Sequence, residues 1–211
     1  MLILALNTAF AAMDGAIMHD GVCLAEVSTP LARGQEQALP GFVDDLLTQA
    51  SITLADLDRL AVVTGPGSFT GIRIGVSYMR GLALALDLPC VGLSSLEAGA
   101  PIAATGAVLC GLQAQRRPPE QTWWVQTLQD GYGTAPTTEI DQMDFVKACE
   151  SFQGDVLLSA PDAMAGDRVF QQLDIRARHL ALKAVGVAPD DYPPSPVYAR
   201  APDAALPAGG K

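Results

Sequence analysis

Three closely spaced glycines constrain the fold of this chain more than any other feature of its sequence. They lie in the segment Gly65-Pro66-Gly67-Ser68-Phe69-Thr70-Gly71, here called the glycine loop, which continues as Ile72-Arg73-Ile74-Gly75. The residues just before it, 60–64, are apolar and β-branched, as expected for a buried strand. The residues after it are apolar or small as far as Leu86. The sequence therefore predicts a strand, a glycine loop and a helix in direct succession.

Three roles are open for the glycine loop. Glycine tolerates positive φ and allows another backbone or an anion to come close. The loop could therefore hold a phosphate on free helix N–H groups, form a tight structural turn, or serve as a docking corner. The spacing fits neither common nucleotide-binding motif, because no lysine follows and the third glycine comes one residue late.

Composition narrows the class of protein. The 211 residues allow one large or two small domains, and a hydrophobic fraction of 49% with 17% charged residues argues against disorder. A net charge of −10 argues against a chain that grips nucleic acid by itself. We find neither an apolar run of the roughly 18 residues that a membrane helix needs nor the basic start of a signal peptide. The expectation is a cytoplasmic protein without membrane contact.

Cysteine and histidine give no sign of a catalytic or metal site. Four widely spaced cysteines each adjoin apolar residues, which predicts buried free thiols; they are Cys23, Cys90, Cys110 and Cys149. The two histidines, His19 and His179, form no metal-spaced group. We therefore predict no catalytic residue and no metal ligand in this chain.

The first half predicts three strands in hairpin succession and then helices. The strands are residues 2–6, 12–18 and 22–28, with a turn at Asp20-Gly21. Apolar residues recur at helical spacing from Leu39 to Ala50, where Pro40 and Gly41 mark either the helix start or a kink. Thr70 is the expected N-cap of the helix after the glycine loop. Ser94 and Glu97 form a capping box for a helix towards Ala104.

The second half predicts a similar but smaller unit. Strands are expected at 107–112, 122–128 and 155–158, with helices around Met143 and over 175–185 and a basic loop at 116–119. This order loosely repeats that of the first half. We therefore predict a first lobe at 1–98, a second lobe at 99–188 and an irregular tail at 189–211 that is laid back over the first lobe.

Glycines inside the helix after the loop require an explanation. Gly71 and Gly75 lie one turn apart, and each costs about 1 kcal/mol relative to alanine. Close approach of another helix, from this chain or from a partner, would account for them. The candidate partner interface consists of Leu39, Val43, Leu46, Gly71, Ile72, Gly75, Val76 and Met79. The alternative is that these residues pack the core of the first lobe.

Several motifs together resemble the TsaB (YeaZ) family. They are Leu4-Ala5-Leu6-Asn7-Thr8, the glycine loop with Arg73, Arg80-Gly81-Leu82-Ala83-Leu84, Gln113-Ala114-Gln115-Arg116 and Pro196-Val197-Tyr198-Ala199-Arg200. The resemblance is close from residue 2 to about residue 98 and weak beyond, apart from the last two motifs.

The resemblance implies a fold and a set of partners. The fold is the two-lobed actin-like, sugar-kinase-like (ASKHA) α/β fold, with mixed sheets flanked by helices and a reduced second lobe. Members are non-catalytic subunits that pair with the transferase TsaD through first-lobe helices, and the ATPase TsaE joins them. The complex makes threonylcarbamoyladenosine in tRNA, so this chain would contact tRNA only within it. ATP and metal are expected in the partner subunits and no cofactor in this one, which can form a homodimer when isolated.

Departures from the family pattern weaken any catalytic role. Asn7 replaces an aspartate that helps position hydrated Mg²⁺ in working ATPases of this superfold. Gln35 and Gln113 replace a histidine and an aspartate. The alternative function is an ATP-dependent phosphotransferase of the sugar-kinase type, with the glycine loop around the phosphates. Asp14 is then the one acid near the first turn, and we expect it to be exposed.

Overall fold

The structure of the chain is a computed structural model that describes residues 1–31, 33–114, 121–164 and 168–197. In these ranges the chain forms two mixed β-sheets with helices packed on their faces. The predicted basic loop at 116–119 lies outside the described residues. So do residues 198–211 of the tail and parts of two family motifs, Gln115-Arg116 and Tyr198-Ala199-Arg200.

The first sheet contains five strands in the order β3-β2-β1-β4-β5. The strands are β1 (Leu2–Asn7), β2 (Ala12–His19), β3 (Val22–Pro30), β4 (Arg59–Val63) and β5 (Cys90–Leu93). β2 runs antiparallel to β1 and β3, whereas β4 and β5 run parallel to β1 and to each other. The predicted turn at Asp20 and Gly21 is confirmed, with φ of 49° and 85°, which suits the twist of a two-residue hairpin.

Two helices connect strands of this sheet, and a third, short helix follows its last strand, β5. They are α1 (Gln35–Ala50), α2 (Phe69–Leu86) and the short α3 (Ser95–Gly99). Pro40 lies inside α1 and does not mark its start. Thr70 as the N-cap of α2 is wrong: Ser68 occupies that position and its Oγ accepts the Gly71 amide at 3.2 Å. The capping box at Ser94 is confirmed, although α3 ends well before Ala104 because the backbone becomes extended at Ala100.

The second sheet repeats the plan of the first. Its strands are β6 (Ala107–Gln113), β7 (Thr122–Gln129), β8 (Tyr132–Gly133), β9 (Thr138–Asp141), β10 (Asp155–Leu158) and β11 (Gln171–Gln172), and α4 spans Gln142–Ser151. β6 has an antiparallel neighbour, β7, on one side and a parallel neighbour, β10, on the other, as β1 has β2 and β4. The sequence predicted this likeness but not the short strands β8, β9 and β11, which carry too few residues to show a pattern.

The helix α5 (Ala177–Ala184) completes the core of the first sheet. Ala177, Leu180, Ala181 and Ala184 are fully buried among residues of β1, β2 and β4. This helix falls in the predicted second lobe, 99–188, yet it packs on the first sheet. The lobe bounds stay a prediction, and the described core of the first sheet takes residues from both ends of the chain.

Three of the four cysteines are buried free thiols, as the sequence predicted, and the fourth is exposed. Cys90, Cys110 and Cys149 are buried, and burial raises the pKa of these thiols to about 12, 12 and 11. Cys23 differs, because it is exposed on the edge strand β3.

Within the described ranges, every helix is too short or too polar to span a bilayer.

Candidate functional site: the glycine loop and the helices it positions

The glycine loop packs tightly on the turn that follows β1. The Ser68 amide donates to the Ala9 carbonyl at 2.7 Å. A Cβ atom built on Gly67 would lie 2.3 Å from the same carbonyl oxygen, so only glycine fits there. The Gly65-Pro66 peptide bond is cis, and Gly65 has a φ of 105°. The loop therefore needs its glycines to make this close contact.

The start of α3 holds the other side of the loop. The Ser95 amide donates to the Gly65 carbonyl at 2.8 Å, and the Ser95 hydroxyl donates to the Pro66 carbonyl at 2.6 Å. Two of the amides at the start of α2 that could hold a phosphate are already used, since Gly71 donates to the Ser68 side chain and Ile72 to the Ser68 carbonyl. Of the three roles that the sequence left open, the geometry is that of a tight structural turn.

The glycines inside α2 make room for Thr8 of the same lobe. A Cβ atom on Gly71 would lie 2.0 Å from the Thr8 carbonyl oxygen, and one on Gly75 would lie 2.2 Å from Thr8 Oγ1. The Thr8 hydroxyl in turn donates to the Gly71 carbonyl at 2.7 Å. The close approach that the sequence predicted is therefore real, but the neighbour is the β1–β2 turn and not another helix.

The predicted interface residues need correction as a set. All eight are buried within their own lobe; they are Leu39, Val43, Leu46, Gly71, Ile72, Gly75, Val76 and Met79. None of them offers a surface to a partner in this structure. The physical reason is that an amphipathic helix turns its apolar stripe towards the core, here towards the first sheet. The alternative that the sequence left open, packing of the first-lobe core, therefore describes these residues.

The opposite faces of α1 and α2 are exposed and lie side by side. We call this surface the outer face; its exposed members include Gly41, Asp44 and Asp45 on α1 and Phe69, Arg73, Arg80, Gly81 and Leu84 on α2. Leu84 is 87% exposed, and the Arg73 guanidinium lies 3.9 Å from the centre of the Phe69 ring. The outer face therefore has an acidic side on α1 and a basic side on α2.

Two glycines of the outer face have no explanation within the chain. A Cβ atom on Gly41 or on Gly81 would meet nothing within 4 Å. They differ in this from Gly71 and Gly75, whose small size the chain itself uses. Each lowers the stability of its helix by roughly 0.5–1 kcal/mol relative to alanine.

The residues of the alternative phosphotransferase site are committed to structural contacts. Asn7 is buried and its Oδ1 accepts the Ala9 amide at 3.0 Å. Asp14 as an exposed acid is wrong: it is 4% exposed, and its Oδ2 accepts the Ala177 amide at 2.7 Å at the start of α5. Burial raises the pKa of this carboxyl group. A carboxylate at this place stabilises the positive end of the α5 dipole.

Asn7 and Asp14 also line a cleft between the two sheets. The cleft has a volume of about 330 Å³ and is lined from the second half of the chain by Leu112, Ser159 and residues 173–176. Among the described residues, no group of three or more His, Cys, Asp or Glu side chains is arranged to hold a metal ion. The glycine loop does not line this cleft.

Sequence reasoning missed a buried lysine at the junction of α5 and the second sheet. Lys183 is 3% exposed, and its Nζ donates to the Gly131 carbonyl at 2.8 Å. The Tyr132 hydroxyl donates back to the Lys183 carbonyl at 3.2 Å. Burial lowers the pKa of Lys183 to about 8. Its position between the apolar Leu182 and Ala184 was the signal that could have found it.

Comparison with known sequences connects this geometry to a family. A family model described as TsaD, tRNA N6-adenosine threonylcarbamoyltransferase, matches residues 28–115. The tRNA threonylcarbamoyladenosine biosynthesis protein TsaB of Escherichia coli is 42% identical over 96 residues, which are 46% of this chain and 41% of that protein. A tRNA N6-adenosine threonylcarbamoyltransferase of Gluconobacter oxydans is 40% identical over 99 residues, 43% of this chain and 27% of that protein. The matched segments span less than half of either relative.

Comparison of structures extends the likeness to almost the whole chain. YeaZ from Pseudomonas aeruginosa is 25% identical and has a TM-score of 0.71, with 93% of this chain and 99% of that chain covered. Two mixed sheets flanked by helices confirm the α/β fold class that the sequence predicted. The sequence likeness over less than half of the chain and the structural likeness over almost all of it agree, and both support assignment to the TsaB (YeaZ) family.

Proposed function

We propose that this chain is a non-catalytic subunit in the biosynthesis of tRNA threonylcarbamoyladenosine. In this proposal it pairs with a TsaD-like transferase, which adds the threonylcarbamoyl group to N6 of the adenosine next to the anticodon in tRNAs that read codons starting with A. A TsaE-like ATPase joins the pair, ATP and metal bind to the partner subunits, and the complex works in the cytoplasm. The observation that carries the proposal is the likeness to TsaB proteins in sequence and in fold.

The outer face is the surface that we assign to the TsaD-like partner. The buried stripe of α2 is unavailable, whereas the outer face combines an exposed leucine, Leu84, with two glycines that the chain itself does not need, Gly41 and Gly81. Small residues let a foreign helix come close, and the arginines of α2 and aspartates of α1 can pair with opposite charges. The same surface would serve a second copy of this chain when the partner is missing.

The non-catalytic role is supported by what the loop residues already do. Ser68 and Gly71 bond within the chain, and Asn7, at the position of the expected aspartate, has its side-chain oxygen occupied by the Ala9 amide. A phosphotransferase would need these groups for phosphate and hydrated Mg²⁺. The alternative function therefore has less support than the proposed one, and micromolar binding of Mg-ATP to the isolated chain in calorimetry would favour it.

Deleting the gene tests the proposed function in the cell. Digested tRNA from the deletion strain should lack threonylcarbamoyladenosine in mass spectrometry, and the gene on a plasmid should restore it. A matched complementation with Leu84→Asp should restore less of the modified nucleoside, since this change places a charge in the outer face. An unchanged level of the nucleoside in the deletion strain would overturn the proposal.

A further inference from the structure

The C-terminal strap, residues 188–197, runs along the edge of the first sheet to the glycine loop. The Gly92 amide of β5 donates to the Tyr192 carbonyl at 2.9 Å. The Val197 amide donates to the Thr64 carbonyl, just after β4, at 2.8 Å. The strap therefore satisfies backbone groups that would otherwise be open at a sheet edge.

The strap is packed closely enough to require glycine beneath it. A Cβ atom on Gly92 would lie 2.5 Å from Thr64 Cγ2, 2.9 Å from the Pro193 carbonyl oxygen and 2.9 Å from Pro194 Cα. One on Gly65 would lie 3.0 Å from the Val197 carbonyl oxygen. The end of the strap thus touches the first residue of the glycine loop.

Arg59 holds the segment that leads from α5 into the strap. Its Nη1 donates to the Ala184 carbonyl at the end of α5 and to the Val187 carbonyl at 3.0 Å. Since Arg59 is the first residue of β4 and Thr64 follows the last, residues 184–197, which include the strap, are tied at both ends of one central strand. The Tyr192 ring also meets the Tyr132 ring of the second sheet edge-on, with centres 6.1 Å apart.

The glycine loop is consequently held from three sides. Ala9 holds it through Ser68, α3 holds it through Ser95, and the strap holds the residue that precedes it through Val197. Of these contacts, those of the strap can be removed by truncation, without substituting any residue of α1, α2 or their outer face.

We propose that the C-terminal strap is a positioning element for partner binding: it fixes the glycine loop and with it the first turn of α2, where the outer face begins at Phe69. This inference rests on the proposed function. A surface that is already ordered loses less conformational entropy on association, so fixing the start of α2 strengthens binding without adding a contact to the partner. The strap residues act through the loop and need not touch the partner.

Two truncations test the strap. One ends after Val197 and keeps the strap, and the other ends after Ala188 and removes it. Their dissociation constants for the TsaD-like subunit of the same organism are measured by calorimetry, and hydrogen exchange is followed at the amides of Gly71 and Ile72. The chain ending at Val197 should bind like the full chain, and the chain ending at Ala188 about tenfold more weakly, with faster exchange in the first turn of α2.

Matched variants separate positioning from general stability. Phe145→Leu, at a fully buried position of the second lobe, lowers stability far from the loop and should bind the partner normally. Gly92→Ala, whose methyl group would overlap both the strap and the Thr64 side chain, perturbs the strap in a chain of full length. It should reproduce the weaker binding, which covers the case that the shorter truncation fails to fold.

Each contrary result has its own meaning. Full affinity of Gly92→Ala or of the chain ending at Ala188 would overturn the inference, and so would an equal loss in Phe145→Leu or a loss already present in the chain ending at Val197. Failure of the full chain to bind the TsaD-like subunit would instead overturn the proposed function.

Discussion

The two faces of α2 use the same kind of residue for opposite reasons. On the inner face, Gly71 and Gly75 lie against Thr8, and a methyl group in either place would overlap with it. On the outer face, Gly81 borders open space, as does Gly41 on α1. A glycine in a helix costs stability in both settings, but only on the inner face does the chain itself regain that cost through packing. The comparison indicates that a glycine unexplained inside a chain is a better sign of a partner than one that is explained.

Gly75→Leu should have the largest effect, because it attacks the inner face. The new side chain would begin 2.2 Å from Thr8 Oγ1 and could not be accommodated without moving β1 or α2. We expect a loss of about 3 kcal/mol or more, which is enough to prevent folding of a marginal domain. Circular dichroism and thermal unfolding measure it, with Gly81→Leu as the control that should remain folded. A stable Gly75→Leu monomer would remove the distinction between the faces.

Leu84→Asp on the outer face should weaken partner binding while leaving the stability of the chain nearly unchanged. Leu84 is 87% exposed, so the change should shift the unfolding free energy by less than about 0.5 kcal/mol. Binding to the TsaD-like subunit should weaken by roughly ten- to hundredfold, because a charge would be buried at the contact. Val169→Asp, at an 86% exposed position of the second lobe, is the matched control in the same calorimetric titration. Equal effects of the two substitutions would place the partner elsewhere.

Lys183 is an ionisable residue on the buried face of α5, where an apolar residue is expected. Its pKa is lowered from 10.5 to about 8 in the folded state. Between these values the unfolded chain binds more protons, so stability should rise as the pH increases from 8 to 10.5. Lys183→Met should be more stable at pH 7, by about 1–3 kcal/mol, and should lose that rise. Urea unfolding at pH 7 and 9.5 measures both; a flat pH dependence in the parent chain would contradict the assignment.

Gly81→Ala should give the smallest change in stability. It also tests most directly whether a partner helix packs on the outer face. With open space around it, the new methyl group should stabilise α2 by about 0.5–1 kcal/mol. If a partner helix approaches there, the same change should weaken binding while the melting temperature rises. Gly41→Ala on α1 is the parallel measurement. A rise in stability with unchanged affinity in both variants would mean that the outer glycines have no role in docking.

Sequence-based predictions were reliable wherever a local rule applied. Alternation and turn residues located the hairpin at Asp20-Gly21, and the Ser94 capping box located the start of α3. The glycine loop was recognised as a special turn, and its resemblance pointed to the family. The N-cap was misplaced because Thr70 and Ser68 are both good caps, and only the path of the backbone decides which hydroxyl meets a free amide.

The candidate site was less predictable, because it depends on which face of each helix meets the sheet. The apolar and glycine stripe of α2 was visible, but the sequence cannot say whether its neighbour is Thr8 of the same lobe or a helix of another protein. The burial of Asp14 was likewise hidden, since the amide that it accepts belongs to Ala177, which is 163 residues away. The same holds for Lys183, whose partner Gly131 lies in the turn between β7 and β8 of the second sheet.

By itself, the sequence located most strands and helices of the first half and the glycine loop, because turns, caps and helical periods are set by neighbouring residues. Its resemblance pointed to the TsaB (YeaZ) family. Only the tertiary structure decided which glycines serve the core and which remain open, and that a helix and a strap from the end of the chain complete the first sheet. The reason is that packing joins residues far apart in sequence, and a pattern on one helix does not reveal what lies against it.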